Sequence, residues 1–199
     1  MIIDVSSYQG VIDWNKARAG LERVILRGTL KNGKLDPQFM RNYRNAVNIP
    51  FIDSVDMYKF SYATNFDTAF TEAENCIKAI KNEGLNSDSI GMLWLDLEPH
   101  AAVGAQHGMK QATDIIAAYM LVCRREHIPF GIYLNYNYLI HVLDKRLYFL
   151  PIWLARYNSI MGDIKGANVK IWQYSSKGHI DGIAGDVDVN KYIDRTEIC

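Results

Sequence analysis

The chain has 199 residues, with 22 basic and 22 acidic side chains and a formal net charge of zero. With 49% hydrophobic residues and only 14 Gly and 5 Pro, it is long enough to bury a core without a disulfide framework or structural metal. A disordered, collagenous or low-complexity chain is excluded. Zero net charge argues against a protein held on nucleic acid or an anionic membrane by its overall field, and leaves a neutral polymer such as a carbohydrate open as partner.

In chain order, short runs rich in aromatic and branched residues, bounded by Gly, Pro, Asn or Asp, read as strands. They are Ile2–Ser6, Val24–Thr29, Asp56–Ser61, Ile90–Glu98, Phe130–Asn135, Ile152–Tyr157, Lys170–Tyr174 and a weaker Val187–Val189. Helices fall between them. Asp36-Pro37 reads as an N-cap with proline at the first helical position, opening a segment with Phe39, Tyr43, Ala46 and Val47 on one face. A second helix runs from about Asp67 to Glu83 with Gly84 as its stop, and a third from about Lys110 to Arg125. Strands alternating with helices imply a parallel α/β sheet. The loops after Asn135 and Tyr174 leave little room for full helices, so the expected fold is a shortened, irregular (β/α) TIM-like barrel with some helices trimmed. An open doubly wound sheet is the second arrangement. Nothing divides the chain, so residues 1–199 are expected to form a single catalytic domain.

Cys76, Cys123 and Cys199 are too few and too scattered for a disulfide scaffold or a zinc site, and the first two fall on apolar helix faces as buried free thiols. Met1 is followed directly by Ile-Ile-Asp, without the basic start and apolar run of a signal peptide. The longest apolar stretch, Ile90 to Leu95, is far below the roughly 20 residues of a membrane span.

In a parallel barrel the active site lies at the carboxyl ends of the strands, and carboxylates collect there. The sharpest case is Met92-Leu93-Trp94-Leu95-Asp96-Leu97-Glu98-Pro99. Strand alternation puts Trp94, Asp96 and Glu98 on one face and the leucines on the other. Two acids about 6.6 Å apart along one strand repel when both are ionised, which raises one pKa and keeps a proton available near neutrality. A general acid for acetal cleavage needs that proton. Asp4, inside the apolar Ile2–Ser6 run, needs either a partner or a role.

Asp186 to Glu197 matches the ligand spacing of a calcium loop, but Lys191 occupies the position that requires glycine. Asp188 facing the barrel mouth is the better use of that segment. The five histidines, His100, His107, His127, His141 and His179, lack metal-ligand spacing. No metal or other cofactor is expected. Aromatics concentrate at strand ends, at Tyr58, Tyr62, Tyr133, Trp153, Tyr157, Trp172 and Tyr174. Beside carboxylates they suit sugar rings stacking on flat apolar faces.

Taken together, several stretches resemble glycoside hydrolase family 25, the Chalaropsis-type lysozymes or muramidases. They are Ile3-Asp4-Val5-Ser6-Ser7-Tyr8-Gln9-Gly10 with Ile12-Asp13-Trp14, then Leu35-Asp36-Pro37-Gln38-Phe39, then Leu95-Asp96-Leu97-Glu98 and Ile132-Tyr133. Trp153-Leu154-Ala155-Arg156-Tyr157, Trp172-Gln173-Tyr174-Ser175-Ser176 and Val187-Asp188-Val189-Asn190 follow in family order. The resemblance implies a shortened β/α barrel that cleaves the β-1,4 bond between N-acetylmuramic acid and N-acetylglucosamine in bacterial cell-wall peptidoglycan. It implies Glu98 as general acid, Asp96 assisting at the 2-acetamido group, and Asp4 and Asp188 as further acids of the groove. Tyr58, Tyr62, Tyr133, Trp153, Tyr157 and Trp172 would bind the glycan. A substrate-assisted retaining mechanism fits, with inversion by an activated water as the alternative.

Two departures stand out. A common Lys-Ala-Thr-Glu-Gly reads Arg27-Gly28-Thr29-Leu30-Lys31 here, and a common Tyr-His-Phe-Ala-Arg reads Tyr58-Lys59-Phe60-Ser61-Tyr62. A chitinase-like hydrolase and a non-catalytic peptidoglycan-binding module are the competing functions. Action on the cell wall without a visible export signal fits either an endolysin released through a membrane pore or the catalytic region of a longer chain.

Overall fold

The computed structural model describes residues 1–52, 54–99, 107–158, 160–164 and 166–193. Eight strands close into one barrel in chain order. They are β1 (Ile2–Val5), β2 (Arg23–Arg27), β3 (Val55–Phe60), β4 (Leu93–Asp96), β5 (Phe130–Asn135), β6 (Ile152–Ala155), β7 (Val169–Gly178) and β8 (Val187–Tyr192). The helices among the described residues are α1 (Trp14–Ala17), α2 (Phe39–Ala46), α3 (Phe66–Asn82), α4 (Met109–Arg125) and α5 (Tyr136–His141). This is the shortened barrel expected from the strand–helix alternation, not the open sheet.

The all-parallel expectation needs one correction. β1 to β7 pair in parallel, whereas β8 runs antiparallel to both β7 and β1. The connection between Gly178 and Val187 is too short for the crossover that a parallel pair requires, so the chain turns back as a hairpin. β7 is correspondingly longer than the Lys170–Tyr174 run. No helix among the described residues is long and apolar enough to cross a membrane.

Strand parity sorts the side chains into two cores. Ile2, Ile25, Trp94, Tyr133, Trp153 and Ile171 fill the barrel interior. Ile3, Val5, Val24, Leu26, Leu93 and Leu95 face outward onto the helices, each such buried side chain contributing roughly 1.5–3 kcal/mol. Gly131 lies beside Trp94 on β5, where a Cβ would sit 2.4 Å from the indole ring. The barrel therefore accommodates its central tryptophan only because β5 carries no side chain there.

Outside the barrel, α3 and α4 pack together along Ala73, Cys76, Ile77, Ala118, Tyr119 and Val122. Both described thiols, Cys76 and Cys123, are free and buried, and burial pushes the Cys76 pKa up to about 11. The α3 start is capped by Asn65, whose side-chain oxygen accepts the Thr68 N–H at 3.0 Å, and Gly84 in the left-handed region (φ 81°) ends it.

The α2 start differs from expectation. The helix begins at Phe39: Asp36 Oδ2 is engaged by Arg27 at 2.6 Å and by the Ser7 N–H at 3.1 Å, which leaves Oδ1 to accept the Gln38 N–H at 2.9 Å. Cys199 lies outside the described residues.

Candidate active site

Three of the four predicted acids occupy strands around the barrel mouth. Asp96 ends β4, and Glu98 follows just beyond it. The ladder continues through the Leu97 N–H, which donates to the Tyr133 carbonyl at 3.0 Å, so Glu98 keeps the inward parity of Asp96. Asp4 on β1 stands directly opposite Asp188 on β8, where Cβ atoms of facing residues are about 5 Å apart. The antiparallel return of β8 creates that facing pair.

Asp4 is buried and its environment is fully specified. Its Oδ2 accepts from Gln173 Nε2 at 3.0 Å and from Asn190 Nδ2 at 2.8 Å. The amides are themselves oriented: Gln173 Oε1 accepts the hydroxyls of Tyr133 and Tyr157, both at 2.8 Å, and Asn190 Oδ1 accepts the Trp153 indole N–H at 2.7 Å. Each amide thus has its oxygen occupied by donors and its nitrogen committed to Asp4.

Burial pushes the Asp4 pKa up to about 7. The charges of Asp188 and Glu98 add to the rise, and the two amides oppose it. Burial also carries Asp188 to about 6. Asp96 is raised well above the usual carboxylate range by burial first, then by Glu98, Asp4 and Asp188, with Lys59 pulling the other way. Glu98 is raised by burial and by Asp188, while the nearby Tyr133 hydroxyl opposes the rise. Four acids that crowd one another in a partly dry mouth all have their pKa raised, so the cluster keeps protons to higher pH than isolated carboxylates would. One oxygen of Asp96, Oδ1, is buried without a hydrogen-bond partner among the described residues.

The predicted aromatic residues divide. Tyr133 lines the mouth beneath Glu98 and Asp96, which raise its pKa together with burial. Tyr58 lies near Asp4 and Asp96, and Tyr157, 54% exposed, stands at the rim. Tyr62 flanks a side limb of the cleft with Asp96.

Trp153 is a correction. It is only 2% exposed, packed edge-on against Trp94 and Tyr133 inside the barrel, and offers no ring face to a ligand. Trp172 is another. Its neighbour Gln173 points inward, so Trp172 points outward, donating its indole N–H to the Arg156 carbonyl at 2.8 Å beneath Lys191. Tyr174 shares that outer face, edge-on to Trp172.

Several contributors went unnoticed in the sequence. Gln173 and Asn190 carry no charge signal, and Tyr8, in the turn after β1, meets Arg27, at the end of β2, only in the folded barrel. Lys59, 1% exposed, pairs with Glu72 at 3.1 Å. Glu72 also accepts from Ser61, the Tyr62 N–H and Tyr119, tying the end of β3 to α3 and α4. A charged residue inside an apolar strand was the available signal for Lys59. The run that resembled a calcium loop is, over Val187–Tyr192, a strand hydrogen-bonded along both edges, and residues 194–197 lie outside the described residues.

Residues 3–183 match the model of the family described as glycosyl hydrolases family 25. The chain belongs to that family. As a family 25 protein it is 25% identical over 200 residues to Lysozyme M1 of Streptomyces globisporus, covering 96% of this chain and 66% of that protein. The modular autolysin LytC of Streptococcus pneumoniae superposes with a TM-score of 0.83 at 25% identity, over 96% of this chain and 46% of LytC, and has also been solved with a synthetic peptidoglycan ligand. The CTP1L endolysin shares the fold, with a TM-score of 0.78 at 23% identity over 99% of this chain and 67% of its own. This family 25 chain therefore spans about two thirds of Lysozyme M1 and less than half of LytC.

Proposed function

We propose that this chain is an N-acetylmuramidase that cleaves the β-1,4 bond between N-acetylmuramic acid and N-acetylglucosamine in cell-wall peptidoglycan, acting outside the cytoplasmic membrane. Family membership and the lysozyme relatives support the substrate class. The observation that carries the chemistry is the buried, unpartnered Asp96 Oδ1 beside the more accessible Glu98 at the mouth.

Asp96 and Glu98 divide the work by environment. Without substrate, the deeper burial of Asp96 gives it first claim on a shared proton. A sugar 2-acetamido N–H donating to Asp96 Oδ1 stabilises the ionised form of Asp96, and the proton is then held by Glu98, within reach of the glycosidic oxygen. Glu98 protonates that oxygen as the bond to the anomeric carbon breaks. The acetamido carbonyl oxygen attacks the anomeric carbon from the opposite face, and Asp96 stabilises the resulting oxazolinium N–H. Water then opens the ring after giving its proton to Glu98, and configuration is retained. Because the nucleophile belongs to the substrate, the usual carboxylate-spacing rule does not govern the outcome. Asp4 and Asp188 shape the field around this pair, and Tyr58, Tyr62, Tyr133 and Tyr157 supply glycan contacts.

The test is digestion of purified peptidoglycan by wild type and Glu98→Gln, with borohydride reduction and mass spectrometry of the fragments. Muramitol ends from wild type, and turnover at least about 1000-fold lower in the variant with an unchanged circular dichroism spectrum, are expected. Glucosaminitol ends would move the cleaved bond, and an active Glu98→Gln would remove the assignment of the acid. Turnover of chitin oligomers without wall digestion would favour the chitinase-like function. NMR of the first anomer released separates retention from inversion.

A further inference from the structure

The barrel mouth has a second limb of different chemistry. A cleft of about 370 Å³ runs from Asp96 between Tyr8, Arg27, Leu30, Lys31 and Tyr62. Arg27 is locked in place: its Nε and Nη2 reach Asp36 at 2.8 and 2.6 Å, Nη2 also donates to Ser7 at 3.0 Å, and the guanidinium lies 4.8 Å from the Tyr8 ring centroid. Tyr8 is 85% exposed, an aromatic face presented to solvent at the edge of the cleft. Across from it the Lys31 ammonium sits 5.1 Å from the Tyr62 ring centroid.

The turn that carries Lys31 is fixed. The Leu30 N–H donates to the Lys34 carbonyl at 2.8 Å, the Gly33 N–H donates to the Leu30 carbonyl at 3.1 Å, and Thr29 bridges to Leu35. Two cations near this limb are already balanced, Arg27 by Asp36 and Lys59 by Glu72. Lys31 makes no ion pair among the described residues, and no acid stands between Gly28 and Leu35.

Neutral sugar hydroxyls would leave the charge of this ammonium uncompensated, a carboxylate would balance it, and the acid-lined side of the mouth repels any anion the glycan carries. We propose that this limb is a subsite for a carboxylate-bearing substituent of the glycan, of the kind a stem peptide presents on a muramyl unit. Lys31 pairs with the carboxylate, and the Tyr8 and Tyr62 rings flank its carbon skeleton. This rests on the muramidase reading for the identity of the glycan, but binding at the limb is separable from turnover.

The experiment compares two probes by calorimetric titration of the wild-type chain at low salt. One is the disaccharide N-acetylglucosaminyl-β-1,4-N-acetylmuramic acid bearing L-alanyl-D-glutamate. The other is the same molecule with both carboxylates amidated. Neither contains the bond proposed to be cleaved. Wild type is expected to bind the carboxylate form about tenfold more tightly, a preference that shrinks with added salt. Lys31→Glu should abolish or reverse the preference, whereas Lys34→Glu, on the same turn but outside the cleft lining, should keep most of it.

Equal binding of the two probes by wild type, retention of the preference in Lys31→Glu, equal loss in both variants, or no binding of either probe would each overturn the subsite. A clear preference in a protein that releases no muramic ends from peptidoglycan would instead leave the subsite standing and remove the assigned reaction.

Discussion

Carboxylates occupy both ends of one barrel, and the fold treats the two ends in opposite ways. At the end where the parallel strands start, Asp56 is completely buried but compensated. It pairs with Arg23 at 2.6 Å and accepts the Trp94 indole N–H at 2.9 Å. Burial still lifts its pKa, with Arg23 and Trp94 holding it down. At the other end Asp4, Asp96, Glu98 and Asp188 crowd one another, and the cation that acts on Asp96, Lys59, already serves Glu72. A buried acid with its own cation holds the fold together. Buried acids left to repel one another are poised to hand protons on, and the stability they forfeit marks the site.

The comparison breaks most visibly at the compensated end. Arg23→Met leaves Asp56 buried without its cation and is expected to destabilise the protein by about 3 kcal/mol, read from urea denaturation at pH 7. A change below roughly 0.5 kcal/mol would mean that the ion pair holds nothing.

At the mouth the sign reverses. Asp4 has a folded pKa of about 7 against an ordinary 3.8. Well below pH 3.8 the acid is protonated in both folded and unfolded chains, so it exerts no penalty. As pH rises from 4 to 7 the unfolded chain sheds the proton first, and folding stability falls until the penalty is complete above pH 7. Asp4→Asn, which keeps an oxygen for the two amide donors, should flatten that decline. It should gain on the order of 2 kcal/mol at pH 8 while turnover drops. An unchanged pH–stability curve would show that Asp4 does not carry the penalty.

Tyr157→Phe sharpens the comparison with the smallest effect. It removes one of two hydroxyls accepted by Gln173. The expected cost is about 1 kcal/mol, with a shifted acid limb in the pH–rate profile and an otherwise intact fold. A fall in rate with no movement of that profile would leave Tyr157 a glycan contact that does not act on Asp4 through Gln173.

Much of this was legible in the sequence wherever period and charge coincide. Trp94, Asp96 and Glu98 alternate with leucines, so the inward face of β4 could be read directly, and Asp4 stood out as a charge in an apolar strand. Strand direction was harder. Nothing local to Val187–Val189 distinguishes a parallel strand from an antiparallel one, and only the length of the preceding connection does.

Trp172 misled because its size and position near a strand end outweighed parity. Had Gln173 been recognised as inward, its neighbour could not have been. Asp36 carries a helix-start signal, but it divides its oxygens between the Gln38 N–H and the Arg27 guanidinium. Gln173 and Asn190 were invisible for a different reason: amides are common on surfaces, and their importance here comes from partners that meet only across the closed barrel.

The pairing of Asp4 with Asp188 joins the first strand of the barrel to the last. A chain emerging from the ribosome can lay down β1 to β7 in sequence, each against its predecessor, yet until β8 emerges the sheet has two unpaired edges and its mouth lacks one acid and the Asn190 amide. Ring closure over so long a loop is the slow kind of contact. Catalytic competence is therefore gained in the closing step of folding, and an interrupted chain carries the Asp96–Glu98 pair without the strand that completes its surroundings.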